Sequence, residues 1–427
     1  MMTRKIRALR LAVAAAALSL PALGCDVVNP GQILDDDLNT EAALRIVVNG
    51  LGGDVSVAQT DLGWNLNVMT GDMSGTSAYK TRFQHWQGRP DAEDADEYNS
   101  LYKAVAVGDL AIERIKTVLG GGEATSQVAA EAYLWTGFAN EMAGDAFCKA
   151  VIGGGAPQDR SVYHQRAEGY FTQAIGIATA AGPANVLTAA YGGRAHVRAQ
   201  LGKWPEAVAD AARVPTSFQF DYKKDAAASR EWNRIFYENQ TRVNINIRWT
   251  WFHDYAQRTS DPRVPWRTVA GKTAADGSGI QVMQNKYPNL GADIAATKGL
   301  EMRLLEAEYY ITQTSNWATG LAIVNGIRTA AGMPAWPASN AAEAFTALKL
   351  ERGIVLWLES RRMGDLYRWG GTAVGDPIIA AMYQLTPAPA VYSGGAGGLV
   401  IPQDQRAVCM PFSLILLGTN ENVRAGG

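Results

Sequence analysis

Histidine and cysteine are scarce in this chain of 427 residues, at four and three. The histidines, His85, His164, His196 and His253, form no HExxH and no pair four residues apart, so no metal site is expected. A GxSxG nucleophile elbow is missing. Gly271-Lys272-Thr273 ends like a phosphate loop, but Trp266 stands where the first glycine belongs, and without that turn the backbone N–H groups cannot cradle a phosphate. No pair of facing carboxylates stands out among 41 acidic residues, as a glycosidase would need. Basic residues are not in excess, at 39, which argues against the positive stripe of a nucleic-acid binder. These absences point away from an enzyme, and no cofactor is implied. With 47% apolar and 19% charged residues the chain is not disordered, and it is long enough to bury a sizeable core.

The front end reads as an export signal. Arg4, Lys5, Arg7 and Arg10 precede Leu11–Leu20, ten apolar or small residues, too few for a spanning helix of about 20. Pro21-Ala22-Leu23-Gly24-Cys25 follows and reads as a lipobox: residues 1–24 are removed and Cys25 is lipidated. Ala22 and Leu23 depart from the preferred residues, and an ordinary signal peptide with a chance cysteine is the alternative. No later apolar run reaches 18 residues, so the mature chain is expected to be anchored to a membrane without spanning it. Two cysteines then remain. Cys148 and Cys409 are either a disulfide closing a span of 261 residues or two buried thiols, and spacing does not decide between them.

The body of the chain is mostly α. Helices are expected from Thr40 through Val48 and over Tyr98–Val118, Val128–Ala146 and Ser161–Ala181. Within Val186–Val214, Ala195, Gly202, Ala207 and Ala211 sit where a tetratricopeptide repeat needs small residues. A second pair is expected at Lys298–Thr312 and Trp317–Thr329, where Leu300, Leu304, Ala307 and Ile311 make one stripe. The helical scaffold thus covers about 41–214 and 298–370. Loop-rich inserts are expected at about 60–100, 215–297 and 370–405, with a short strand over Val243–Trp251. The acidic runs at Asp35–Asp37 and Asp91–Glu97 lack the glycine of a calcium loop and read as a solvated linker and a charged helix start.

What is present in quantity is tryptophan, 12 residues, many of them in the inserts. An indole or phenol face can stack on the apolar face of a sugar ring while its polar edge hydrogen-bonds, each contact adding roughly 0.5–1.5 kcal/mol. Trp64, Tyr79, Trp86, Trp251, Tyr255 and Trp266 are therefore candidate ligand contacts. His85 lies beside Trp86 and is a candidate hydrogen-bond donor, and His253 close to Trp251 could act likewise.

One stretch carries a family resemblance. Leu350–Gly370 reads LERGIVLWLESRRMGDLYRWG and resembles the late helix of SusD/RagB-family outer-membrane lipoproteins. Glu351, Arg352, Leu356, Glu359, Arg362, Asp365, Leu366, Arg368 and Trp369 match its pattern, and Val355 replaces a glutamate. Arg361 and Asp365, and Glu359 and Arg362, are one turn apart, so an ion-pair ladder along the helix is expected. Lys298–Ile311, Gly320–Arg328, Asn29-Pro30-Gly31, Ile401-Pro402 and Thr419–Asn422 resemble further family segments in the right order. The resemblance implies one SusD-like domain over 25–427, lipid-anchored in the outer membrane and displayed at the cell surface. It implies a protein that is not an enzyme, captures oligosaccharides or peptides, and delivers them to a SusC-like TonB-dependent transporter. An anchored helical glycan-degrading enzyme and an envelope repeat scaffold are the competing readings.

Overall fold

In the computed structural model, residues 35–77, 84–86, 88–90, 98–370, 407 and 409–426 are described. Cys25, Tyr79, the Asp91–Glu97 run and Ile401-Pro402 lie outside them. Asp35–Leu38 form a single 3-10 turn belonging to a unit of its own, residues 1–39. The rest, Thr40–Gly427, is a second unit.

The second unit is built from antiparallel helix pairs. They are α1 (Leu44–Met69), α2 (Asn99–Leu119), α3 (Gln127–Ala146), α4 (Ser161–Ala181), α5 (Ala184–Gln200) and α6 (Trp204–Ala211). After an irregular stretch holding α7 (Trp251–Thr259) come α8 (Gly299–Thr312), α9 (Trp317–Ala330), α10 (Ala341–Val355) and α11 (Arg362–Arg368). The short α12 (Leu414–Thr419) and α13 (Glu421–Gly426) close the chain. No helix among the described residues is long and apolar enough to cross a membrane.

The helices form where apolar residues recur every three to four positions. In α1 the buried stripe is Val48, Leu51, Val55, Leu62, Leu66 and Met69. Each such side chain, once buried, stabilises by roughly 1.5–3 kcal/mol. The stripe carries the helix to Met69, so the loop expected from residue 60 begins later, and Trp64 sits on a helix. Close pairing depends on small residues. Phe171 of α4 lies against both Gly137 of α3 and Gly193 of α5, where a Cβ would stand 2.6 and 2.4 Å from its ring. Between α5 and α6 the chain turns on Gly202 at φ +73°, and Ala195, Ala199, Ala207 and Ala211 fill the seam.

Strands are short and paired in twos among the described residues. They are β1 (Ser74–Gly75), β2 (Lys149–Ala150), β3 (Gln158–Asp159), β4 (Gln219–Tyr222), β5 (Ile245–Asn246), β6 (Trp266–Thr273), β7 (Ile280–Gln284) and β8 (Ile294–Lys298). The antiparallel pairs are β1–β5, β2–β3, β4–β8 and β6–β7. The strand expected over Val243–Trp251 shrinks to β5, because α7 begins at Trp251 under a Thr250 cap.

The segment that carries the resemblance is not one helix. α10 ends at Val355, Leu358 and Ser360 both take φ +63°, and α11 starts at Arg362. The expected ladder therefore becomes a network between elements. Arg361 reaches Glu141 of α3 and the carbonyl of Ala296. Arg352 binds Asp365 at 2.7 Å and Glu301 of α8 at 3.2 Å. Arg368 binds Glu308 of α8 at 2.8 Å and Asp365 at 2.9 Å. His196 of α5 lies 2.8 Å from Asp145 and 3.1 Å from Glu301. Burial opposes a charge on His196, yet Asp145, Glu141 and Glu301 raise its pKa to about 10. Helices from both ends of the chain are thereby locked in register, since a misplaced partner would strand a buried charge.

Cys148 and Cys409 form a disulfide with Cα atoms 5.0 Å apart. Beside it Met410 donates its N–H to Ala146 and accepts from Cys148, at 2.7 and 3.0 Å. Further on, the side-chain amides of Asn420 and Asn422 donate to the carbonyls of Gly155 and Gly154. The Asn420–Asn422 motif thus clamps the C-terminal segment onto the loop between β2 and β3.

Candidate ligand-binding site

The aromatic residues of the insert gather on a second apolar cluster, separate from the core of α1–α5. Its interior holds Trp64, Trp86, Phe252, Tyr255 and Trp357, and Trp249, Trp251 and Trp336 are half-buried at its edge.

Four of the expected contacts are interior residues. Trp64 is 2% exposed and Trp86 1%. Trp86 stacks on Trp249 with ring centres 5.9 Å apart. His85 is fully buried, its Nδ1 2.9 Å from Oδ1 of Asn65 and its Nε2 3.3 Å from the hydroxyl of Tyr98. The hydroxyl of buried Tyr255 donates to Asp261 at 2.7 Å and accepts from Arg328 at 3.0 Å. Their aromatic mass builds the platform beneath the surface.

Two expected contacts reach that surface. Trp251 is half-buried and stacks on Tyr255 at 4.8 Å, nearly parallel. Trp266, the first residue of β6, is 36% exposed and meets His253 edge-on at 4.8 Å. α7 and β6 are joined by Ser260–Pro265, within which Asp261 accepts from the N–H and the guanidinium of Arg263. That joint fixes where the two tryptophans stand.

Two members, Trp249 and Arg248, were not singled out by composition, and the expected His253 stands with them. Trp249 takes φ +66°, a left-handed backbone that is costly for a bulky residue and is tolerated chiefly at functional positions and turns. Arg248 lies over its ring at 4.7 Å. His253 is buried, and its Nε2 has no hydrogen-bond partner among the described residues. Burial lowers the His253 pKa, so the ring is neutral at pH 7 and offers one donor and one acceptor. The local signal was the spacing Trp249-x-Trp251-x-His253, which two-residue alternation makes easy to mistake for a strand. The insert thus carries three indoles that reach solvent, Trp249, Trp251 and Trp266, with a guanidinium over the first and a neutral imidazole against the last. Such a surface can stack on a flat apolar ring and hydrogen-bond to its substituents.

Comparison with known proteins follows the fold. Residues 301–397 match the SusD family. Among curated proteins nothing matches. A chitin-binding SusD homologue from Flavobacterium johnsoniae superposes with a TM-score of 0.67 at 13% identity, over 90% of this chain and 95% of that one. A SusD superfamily protein from Bacteroides vulgatus gives 0.65 at 14%, over 90% and 98%. A SusD-like carbohydrate-binding protein from the same species gives 0.60 at 14%, over 78% and 84%. At these identities the structural likeness is one of fold.

Proposed function

We propose, starting from a chain that belongs to the SusD/RagB family, that it is a substrate-binding lipoprotein which captures oligosaccharide on the Trp249–Trp251–Trp266 patch. The observation that carries this reading is the exposure of indole faces above a buried aromatic platform, beside the unpartnered Nε2 of His253. Stacking suits the apolar face of a pyranose, and a neutral imidazole suits its hydroxyls. The reading is of capture without turnover. Cys25 carries the lipid anchor in the outer membrane, with the body at the cell surface. A SusC-like TonB-dependent barrel receives the captured ligand, with peptides as the other ligand class that the family resemblance allows.

Isothermal titration of the mature chain with soluble oligosaccharides tests capture, beginning with chitin fragments because a relative of the same fold binds chitin. Trp266→Ala and Trp251→Ala are each expected to weaken binding by about two- to tenfold, the worth of one aromatic contact. Unchanged affinity in both variants would refute the patch. Purification from native membranes in mild detergent tests delivery, since a stoichiometric TonB-dependent barrel should come with the protein.

A further inference from the structure

Beneath the turn that joins α10 to α11, a small cavity lies among residues of α1, α3 and β4. Gln59, Gly63, Asp145, Tyr222, Ser360 and Arg361 contribute to its wall. Its volume is about 20 Å³. A water molecule needs at least about 10–15 Å³, so the space suits one water and nothing larger.

The charged members of the wall are already matched. Asp145 gives one oxygen to His164 at 3.0 Å and the other to His196 at 2.8 Å. Glu359, also in the wall, takes Lys286 and Lys298 at 2.6 and 2.5 Å. Arg361 is held by Glu141 and the carbonyl of Ala296. Two neutral members are not matched. Gln59 is buried, and neither its amide oxygen nor its amide nitrogen has a hydrogen-bond partner among the described residues. The hydroxyl of buried Tyr222 has none there either. Polar atoms at this depth are, in the great majority, paired with protein or with ordered water.

The two groups converge on the cavity. A Cβ built on Gly63 would stand 2.9 Å from Nε2 of Gln59 and 2.8 Å from Oγ of Ser360, so the amide ends at the same wall as the turn. The Tyr222 phenol is pushed up, by burial first and then by Glu141; Arg361 opposes, and Asp145 and Glu301 add to the rise. Its hydroxyl therefore sits among these charges and keeps its proton. A cation would meet Arg361 and the lysines on Glu359, and an anion would meet Asp145 and Glu359. A small neutral molecule that both donates and accepts avoids both conflicts.

We infer that this cavity is a site for a single bound water, which accepts from the hydroxyl of Tyr222 and hydrogen-bonds to the amide of Gln59. It ties α1 to β4 behind Ser360, whose hydroxyl donates to the carbonyl of Gly63 at 3.2 Å and holds the turn, at φ +63°, against α1. This internal water is independent of ligand capture at the tryptophan patch.

A crystal structure of the mature chain at about 1.5 Å tests the site directly. One density peak is expected, about 2.6–3.2 Å from the Tyr222 oxygen and from one amide atom of Gln59. No peak there would overturn the site, as would a peak with the many-oxygen coordination of a metal cation. Gln59→Leu and Tyr222→Phe should each weaken the peak and lower Tm by about 1–3 °C. The double variant should lose less than the sum, because both side chains act through one molecule. A rise in Tm in either single variant would overturn the site, since it would mean that the wild-type group is buried unpaired and its removal is a gain. Losses that simply add would overturn the bridge.

Discussion

Replacing Arg361 by methionine should be among the most damaging single changes in the molecule. Arg361 is 6% exposed and faces three buried carboxylates: Glu141 by hydrogen bond, Glu301 at 3.7 Å and Asp145 at 3.9 Å. His196 and Arg352 remain beside that group, Arg352 shared with Asp365, so the variant carries one positive charge fewer among the buried carboxylates than the wild type. The cost expected from breaking a buried pair on one side is about 3–5 kcal/mol. Glu141 limits the damage. Burial already raises its pKa to about 7, against the pull of Arg361 and His196, so without Arg361 it takes up a proton more readily. The deficit should therefore be smaller well below pH 7 and should grow as pH rises above it. Arg361→Met with Glu141→Gln removes the charge together with its partner and should recover a good part of the loss. Guanidinium unfolding followed by tryptophan fluorescence measures all three chains. A loss under about 1 kcal/mol in the single variant, or no recovery in the double, would refute charge balance as what holds these helices in register.

His196→Gln tests the same network from its cationic side. The folded pKa of His196 is raised from 6.5 to about 10, so its contribution is fully present below pH 6.5 and lost as pH climbs through 10; the gap in stability between wild type and variant should close over that window. A gap independent of pH would mean that the ring is neutral. Cys148→Ser removes a link spanning 261 residues, which on chain-entropy grounds stabilises by about 5.6 kcal/mol, and removing a native disulfide typically costs about 2–5 kcal/mol. The same variant should sharpen proteolysis within the C-terminal segment, with Asn420 and Asn422 left to hold it; an unchanged cleavage pattern would mean that the asparagine clamp suffices.

Helix positions were legible wherever apolar periodicity ran long. Ser161–Ala181 was readable to the residue, and α3, α8 and α9 within one position at either end, because a buried stripe and a cap are local facts. The small-residue seam of α5 and α6 was readable for the same reason, with Gly202 marking the turn. Reading failed at α1, whose glycines and polar residues from Gln59 to Asn67 look like loop but are buried by neighbours distant in sequence. It failed again at Val243–Trp251, where two-residue alternation meant a capped helix start and a strained Trp249.

The helical scaffold, the aromatic insert and the charged signature near the C-terminus are written locally, because propensity, period and composition act over a few residues. Which aromatics face solvent is settled by packing, for burial depends on what arrives from elsewhere in the chain. Trp86 and Trp266 read alike in sequence; one is stacked beneath Trp249, the other lies open over His253. The charges behave likewise: Glu359 and Arg362 are a helical turn apart on paper, but the break at Leu358 and Ser360 sends Glu359 to Lys286 and Lys298, and Arg361 into the α3–α8 core. Coulomb attraction fixes no partner until the backbone has chosen which charges share a dry interior.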